Sequence, residues 1–233
     1  MSNLLLLGNE AVAQGALDAG ISGAYAYPGT PSTEIMEHVQ RSPESVPRSI
    51  HSRWSANEKT ALEAALGMSY AGKRALACMK HVGLNVAADI FMNAAVTGTN
   101  GGLVVAVADD PSMHSSQNEQ DSRIFSAFAQ TLTLEPCDVQ EAYDMTIAAF
   151  ALSEALEIPV VLRLTTLLSH SRSVIVRQPE REANQASLPE DATHFMLIPL
   201  YARKNWKRLI EKQETFREQS EMSAFNTLLD GPD

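Results

Sequence analysis

The stretch GGLVVAVADD, residues 101–110, runs from two glycines through six uninterrupted apolar residues to a pair of aspartates. A strand with one wet face alternates apolar and polar positions, so a run without alternation belongs to a strand covered on both sides. A strand of that kind sits in a parallel sheet between two layers of helix, and parallel neighbours need crossover segments to join them. Helical patterns should therefore flank it on both sides in the sequence.

They do. Upstream, KRALACMK (73–80) has strand character and LNVAADIFMNAAVTG (84–98) helical character. NEKTALEAALGMSYAG (57–72) is a helix that opens on an asparagine cap and closes on glycine. Before it, RSIHSRWSA (48–56) and GAYAY (23–27) are strands and STEIMEHVQ (32–40) is a helix. After the strand-length LLLL (4–7), Asn9 to Asp18 places Ala11, Val12, Gly15 and Ala16 on one face and stops at Gly20. Downstream come the loop PSMHSSQNEQDSR (111–123), the strand TLTLEP (131–136), the helix VQEAYDMTIAAFALSEAL (139–156) and the strand IPVVLRLTT (158–166). This alternation predicts a three-layer α/β domain over residues 1–176, a mostly parallel sheet with helices on both faces.

From Arg177 the character changes: 18 of the last 57 residues are charged, against 28 of the 176 before them. REANQASLPEDA (181–192) reads as a linker and YARKNWKRLIEKQETFREQS (201–220) as a solvated, ion-pair-rich helix. Residues 177–233 are thus expected to form a charged connector leading toward a further domain.

With 233 residues, 45% of them hydrophobic, the chain can build a sizeable core. A net charge of −10, with no basic block before the last fifty residues, argues against a nucleic-acid partner. Cys78 and Cys137 are far apart and neither belongs to a C-x-x-C unit, which points to a reducing cytoplasm and to no thiolate metal site. LLLL is too short for a membrane span or a leader.

In a parallel α/β sheet, ligands bind beyond the carboxyl ends of the strands. AYPGTPSTE (26–34) leaves such an end, and Pro28, Gly29 and Pro31 constrain its backbone heavily. Glu58 stands in the first turn of a helix that follows a strand, a position that can face a ligand but that in most helices simply serves the helix dipole. Glu63, on the same helix, lies about 140° away and makes no dyad with it. KHVGLN (80–85) offers glycine and backbone donors at a helix entrance, which suits an anion or heterocycle, or simply a tight turn. His81, His114 and His170 have hydroxyl neighbours but no G-x-S-x-G elbow and no paired metal-ligand spacing, so neither a serine hydrolase nor a metal centre is indicated. Dinucleotide and P-loop glycine patterns are absent.

Taken together, YPGTPSTEI, NEKTALEAALGMSYAGKRALACMKHVGLNVAAD, GGLVVAVADDPSMHSSQNEQDSR, LEPCDVQEA and IPVVLRLTTLLSHSRS resemble one family. They are similar to the N-terminal pyrimidine-binding domain of indolepyruvate ferredoxin oxidoreductase alpha subunits. These belong to the thiamine-diphosphate-dependent 2-oxoacid:ferredoxin oxidoreductases. The resemblance runs from Leu4 to about Val176, and DDPSMHSSQNEQD is its most specific piece.

The resemblance implies a thiamine-diphosphate-binding fold of the pyrimidine type. It makes Glu58 the catalytic carboxylate that hydrogen-bonds N1′ of the cofactor's aminopyrimidine from a poorly hydrated pocket. Pro28, Gly29, His81, Gly83 and Asn85 would line the cofactor, and Thr30 would contact the substrate carboxylate. Gly29 replaces a bulkier residue of pyruvate enzymes, which suggests room for an aryl group. The implied reaction is oxidative decarboxylation of an aryl 2-oxoacid to an acyl-coenzyme A, with ferredoxin as acceptor. The G-D-G…N-N segment for Mg²⁺ and diphosphate and the cysteine runs for 4Fe-4S clusters do not occur in this sequence. Those groups, a diphosphate-binding domain or subunit and a beta subunit are therefore expected outside this chain, in a homo- or hetero-oligomer, and the chain alone is expected to be inactive. The alternatives are the alpha chain of a non-redox decarboxylase of the phosphonopyruvate or sulfopyruvate type, and a non-catalytic scaffold that retains the fold.

Overall fold

The structure, a computed structural model, describes residues 3–227 and Gly231. Of the expected 1–176 and 177–233 segments, residues 1, 2, 228–230, 232 and 233 lie outside the described residues. In chain order the elements are β1 (Asn3–Leu7), α1 (Gly8–Asp18), β2 (Gly23–Ala26), α2 (Thr33–Arg41), β3 (His51–Trp54), α3 (Glu58–Tyr70), β4 (Ala75–Lys80), α4 (His81–Thr97) and β5 (Leu103–Asp109). They continue with α5 (Arg123–Ala129), β6 (Leu132–Leu134), α6 (Val139–Leu156), β7 (Val160–Thr165), α7 (Thr166–His170), β8 (Arg172–Val176), α8 (Pro199–Glu211) and α9 (Gln213–Glu221).

Among the described residues the main sheet has six strands in the order β3-β2-β4-β5-β7-β6, and every pairing is parallel. β5 lies inside it, and each of its residues is buried, as its unbroken apolar run requires. α3 and α4 pack on each other over β2, β4 and β5, while α1, α2 and α6 form the other layer. The closest approach in that layer is α1 on α6, where a Cβ on Gly15 would lie 2.6 Å from the Tyr143 carbonyl oxygen. The chain steps from β2 outward to β3 and then back across to β4, so the winding reverses at the carboxyl ends of β2 and β4. Crevices in open α/β sheets form at such a reversal.

Four local expectations are corrected. LLLL does not join the main sheet; it pairs antiparallel with β8 (Asn3↔Val176), a partner from the far end of the domain that local pattern cannot reveal. α4 begins at His81, not Leu84, because Lys80 is extended (φ −84°, ψ 169°) and the helical turn closes directly after it. The loop after β5 ends at Arg123, where α5 begins; seven residues are too few for a clear helical period. The helix read over 201–220 is two helices, α8 and α9, separated at Lys212, whose Nζ donates to the Leu156 carbonyl (2.7 Å).

The charged segment does not stand free as a solvated helix. Asp18, fully buried, accepts from Tyr143 Oη (2.6 Å), Gln14 Nε2 (2.9 Å) and the Arg177 guanidinium, and its carbonyl accepts from Arg181 N (2.7 Å). Arg74 donates to Glu154 (2.7 Å) and to the Glu182 carbonyl (2.9 Å), and Ser187 N donates to the Ala71 carbonyl (2.9 Å). Leu209 and Phe216 are buried, and α8 packs on α4. The segment thus runs along the amino-terminal ends of the strands. Farther along, Ser220, Phe225 and Asn226 share a cleft with Glu135 and Cys137 after β6.

Candidate active site

At the β2 end, Gly29 holds a turn together. Its N–H donates to Thr33 Oγ1 (3.0 Å), and its carbonyl accepts from both N and Oγ of Ser32 (2.8 Å each). Asn9 Nδ2 donates to the Pro31 carbonyl (2.7 Å) and to Glu34 (2.8 Å), and the Thr30–Pro31 peptide is cis. A scaffold satisfied on both sides thus presents Pro28 and Thr30, which are exposed.

Glu58 opens α3 after Asn57, whose side chain accepts from Thr60 N (2.9 Å) and fixes the helix start. Glu58 is 8% exposed. A Cβ on Gly83 would sit 2.6 Å from its Oε1, 2.7 Å from its Cγ and 2.9 Å from its Cδ, so the carboxyl lies across the bare backbone of Gly83. None of the hydrogen bonds among the described residues uses that carboxylate, whose oxygens keep a narrow contact with solvent at the crevice. Glu63 is exposed on the far side of the helix.

His81, 1% exposed, begins α4, and its Nε2 lies 3.0 Å from the Asn118 carbonyl. A carbonyl only accepts, so Nε2 carries a proton, and Nδ1 is buried without a partner among the described residues. Lys80 reaches along the crevice: its Cδ lies 3.1 Å from where a Gly29 Cβ would stand, and its Nζ donates to the Ser115 carbonyl (2.7 Å). Asn85 is exposed on the second turn of α4.

Residues 110–122 fold over this edge. Asp110 accepts from Ser115 N, Ser116 Oγ and Thr166 Oγ1 (2.7 Å each). Burial alone would raise its pKa, but these donors outweigh it and hold the carboxyl below the usual range. Asp109 pairs with Arg163 (2.7 Å), which also meets Asp121 and Glu135. Hydrogen bonds from Arg123, with the Arg163 charge behind them, lower Asp121 to about 2. The aspartate pair that closes β5 is therefore the anchor of the loop.

The structure brings Glu58 and Gly83 into contact, sets Gly29 beside Lys80, and ties His81 to the loop after β5. His114 and His170 meet elsewhere, around a cleft with Pro111, Thr166 and Leu167 beside the β7 end. His170 lies 3.7 Å from Glu34. Burial pushes the Cys78 thiol up to about 12, and the Glu141 carboxylate raises Cys137. The acidic group Asp18, Glu44 and Glu180 surrounds the Arg177 guanidinium. Among the described residues no helix is long and apolar enough to cross a membrane. Sequence reasoning missed Lys80 and Arg163; the available signal was a cation inside or at the end of a buried strand, where a charge needs a reason.

Residues 14–219 match the family described as pyruvate flavodoxin/ferredoxin oxidoreductase, thiamine diphosphate-binding. The chain belongs to that family. Within it, 99% of the chain aligns at 45% identity with the indolepyruvate oxidoreductase subunit IorA of Pyrococcus abyssi, covering 36% of that protein. The Archaeoglobus fulgidus protein of the same name is 44% identical over 98% of the chain and 37% of its own length. The 2-oxoglutarate synthase subunit KorA of Methanocaldococcus jannaschii is more distant, 29% identical over 79% of the chain and 51% of that protein. The chain spans roughly a third of the length of the IorA relatives it matches. The fold matches a solved 2-oxoglutarate:ferredoxin oxidoreductase from Magnetococcus marinus with a TM-score of 0.74, 20% identity, and coverage of 99% of this chain and 47% of that one.

Proposed function

We propose that this chain is the pyrimidine-binding part of a thiamine-diphosphate-dependent enzyme that oxidatively decarboxylates aryl 2-oxoacids, of the indolepyruvate type, to acyl-coenzyme A. The observation that carries this reading is the Glu58 carboxyl: buried, unpaired and laid over Gly83 at the winding reversal of the sheet. A group that supplies an N–H or ring nitrogen there would relieve its missing hydrogen bonds, and the absence of a side chain at Gly83 leaves backbone where a flat ring packs. The residues fit an aminopyrimidine.

When bound, thiamine diphosphate supplies the electron sink for loss of the carboxyl carbon. Glu58 would hold or share a proton at the pyrimidine nitrogen. Pro28, Gly29, His81, Gly83 and Asn85 would wall the cofactor. His81 contributes its buried Nδ1, with its ring oriented by the Asn118 carbonyl. Thr30 would offer its hydroxyl to the substrate.

In this reading residues 1–176 form the half-site and 177–233 continue toward the remaining parts. Mg²⁺, the diphosphate-binding domain, 4Fe-4S clusters, a beta subunit and the ferredoxin contact belong to those parts, in a cytoplasmic oligomer. The IorA relatives are named as oxidoreductases, which favours the oxidative outcome over a non-redox decarboxylase. In the complete enzyme, Glu58→Gln is expected to lower cofactor-dependent turnover by about 10²–10⁴ while the unfolding midpoint stays put. Full turnover in that variant would remove Glu58 from the mechanism.

A further inference from the structure

We propose that Lys80 is the cation that pairs with the carboxylate of the substrate, and that position 29 is glycine to let it. The inference rests on the functional reading above, in which the ligand entering this crevice carries a carboxylate.

Lys80 is the last residue of β4, one of the two strands at the winding reversal, and it stands directly before His81 and Gly83. Its stem occupies the space a side chain at position 29 would need, since a Cβ there would lie 3.1 Å from Cδ and 3.4 Å from Cγ. The lysine is therefore laid beside the Pro28–Thr30 turn. Its ammonium is steadied by one neutral acceptor, the Ser115 carbonyl at 2.7 Å, on the loop that Asp110 anchors. Three donors sit on an ammonium, and one is engaged.

No carboxylate among the described residues pairs with Lys80. Other cations differ: Arg163 is neutralised by Asp109, Arg123 by Asp121, and Lys59 by Asp89. The amino-terminal end of α4 adds its own positive potential at the same place. A half-buried, oriented and uncompensated positive charge at the mouth of the crevice lacks an anion. Of the anions the proposed reaction brings in, two are distant: the cofactor's diphosphate, because the aminopyrimidine end is assigned to Glu58 and the diphosphate to another domain, and the phosphates of coenzyme A, which stand at the far end of the pantetheine arm from the thiol that meets the acyl carbon. The 2-oxoacid carboxylate is the remaining partner. This also changes the meaning of Gly29: the space beside it holds the Lys80 stem, which a branched side chain would displace.

The test uses the complete cofactor-loaded enzyme and calorimetric binding of two inert probes, 3-phenylpropanoate and its uncharged amide. Lys80→Met should weaken the carboxylate probe by about 10–100-fold and leave the amide and thiamine diphosphate within about twofold. Lys80→Arg should recover most of the loss, and Gly29→Ile should weaken the carboxylate probe relative to the amide as Lys80→Met does. Unfolding midpoints near wild type confirm that each variant is folded. Unchanged binding of the carboxylate probe to Lys80→Met, in an enzyme whose wild type turns over 2-oxoacids, overturns the assignment of Lys80 alone. A matching loss for probe and cofactor also overturns it, since the lysine would then serve the diphosphate or the fold. Failure of the wild type to turn over any 2-oxoacid overturns the functional reading itself, and the Lys80 assignment with it.

Discussion

Gly83→Ala separates catalytic geometry from stability. The added methyl would stand 2.6, 2.7 and 2.9 Å from three atoms of Glu58, closer than a Cβ tolerates. Two outcomes are open to the molecule. If Glu58 stayed, overpacking would cost about 1–3 kcal/mol. Those three atoms are the outer part of a flexible side chain, however, so the glutamate can swing away for much less. Position 83 also lies in the first turn of α4, where alanine is favoured over glycine by up to about 1 kcal/mol. The two terms nearly offset, and the unfolding free energy should stay within about 1 kcal/mol of wild type. Function should not. Clearing the clash moves the carboxyl by about 1 Å, a displacement that costs about 10²-fold when a group must meet a reacting partner in fixed geometry. The assay is turnover of the complete enzyme against arylpyruvate, paired with denaturant unfolding of the same variant. Turnover within threefold of wild type, with unchanged cofactor affinity, would refute the reasoning that Gly83 places Glu58. Activity loss that merely tracks a drop in stability would refute it as well.

Two further outcomes concern the docked charged segment. Asp18→Ala leaves the buried Tyr143 hydroxyl without its acceptor and the half-buried Arg177 guanidinium with Glu44 and Glu180 alone, and should cost about 1–3 kcal/mol, read by denaturant unfolding and by faster proteolysis within residues 177–192. His194 has its pKa lowered from 6.5, first by burial and then by the Arg208 charge beside it. Because the folded value is depressed, the unfolded chain binds the proton more readily. The stabilisation is whole above pH 6.5 and is lost as pH falls from there through the folded value. Unfolding followed between pH 8 and 5 should show this loss, and His194→Gln should flatten it.

The layered parallel fold was legible because burial on both faces leaves an unmistakable trace, an apolar run such as Leu103–Ala108. The helix start at Glu58 was legible for a local reason too, since Asn57 caps it through its own side chain. Glu58 could be singled out from its place after a strand, but its burial could not, because that depends on Gly83 in another loop. The docking of residues 177–221 was hidden for a different reason. A charged helix gives up few apolar positions, and here a handful suffices: Leu209, Phe216, the ion pairs of Arg177 and Arg181 and the Arg74 hydrogen bond to the Glu182 carbonyl hold the segment.

Local chemistry in the chain fixed the strand-helix alternation, the sheet's enclosure and the loops able to meet a ligand, because periodicity and capping act over a few residues. Which of those loops touch was settled by the winding reversal. It carries α3 back across β2, lays Glu58 on Gly83, and sets the stem of Lys80 against Gly29. Contacts of that kind arise between segments distant in sequence, so no local pattern records them.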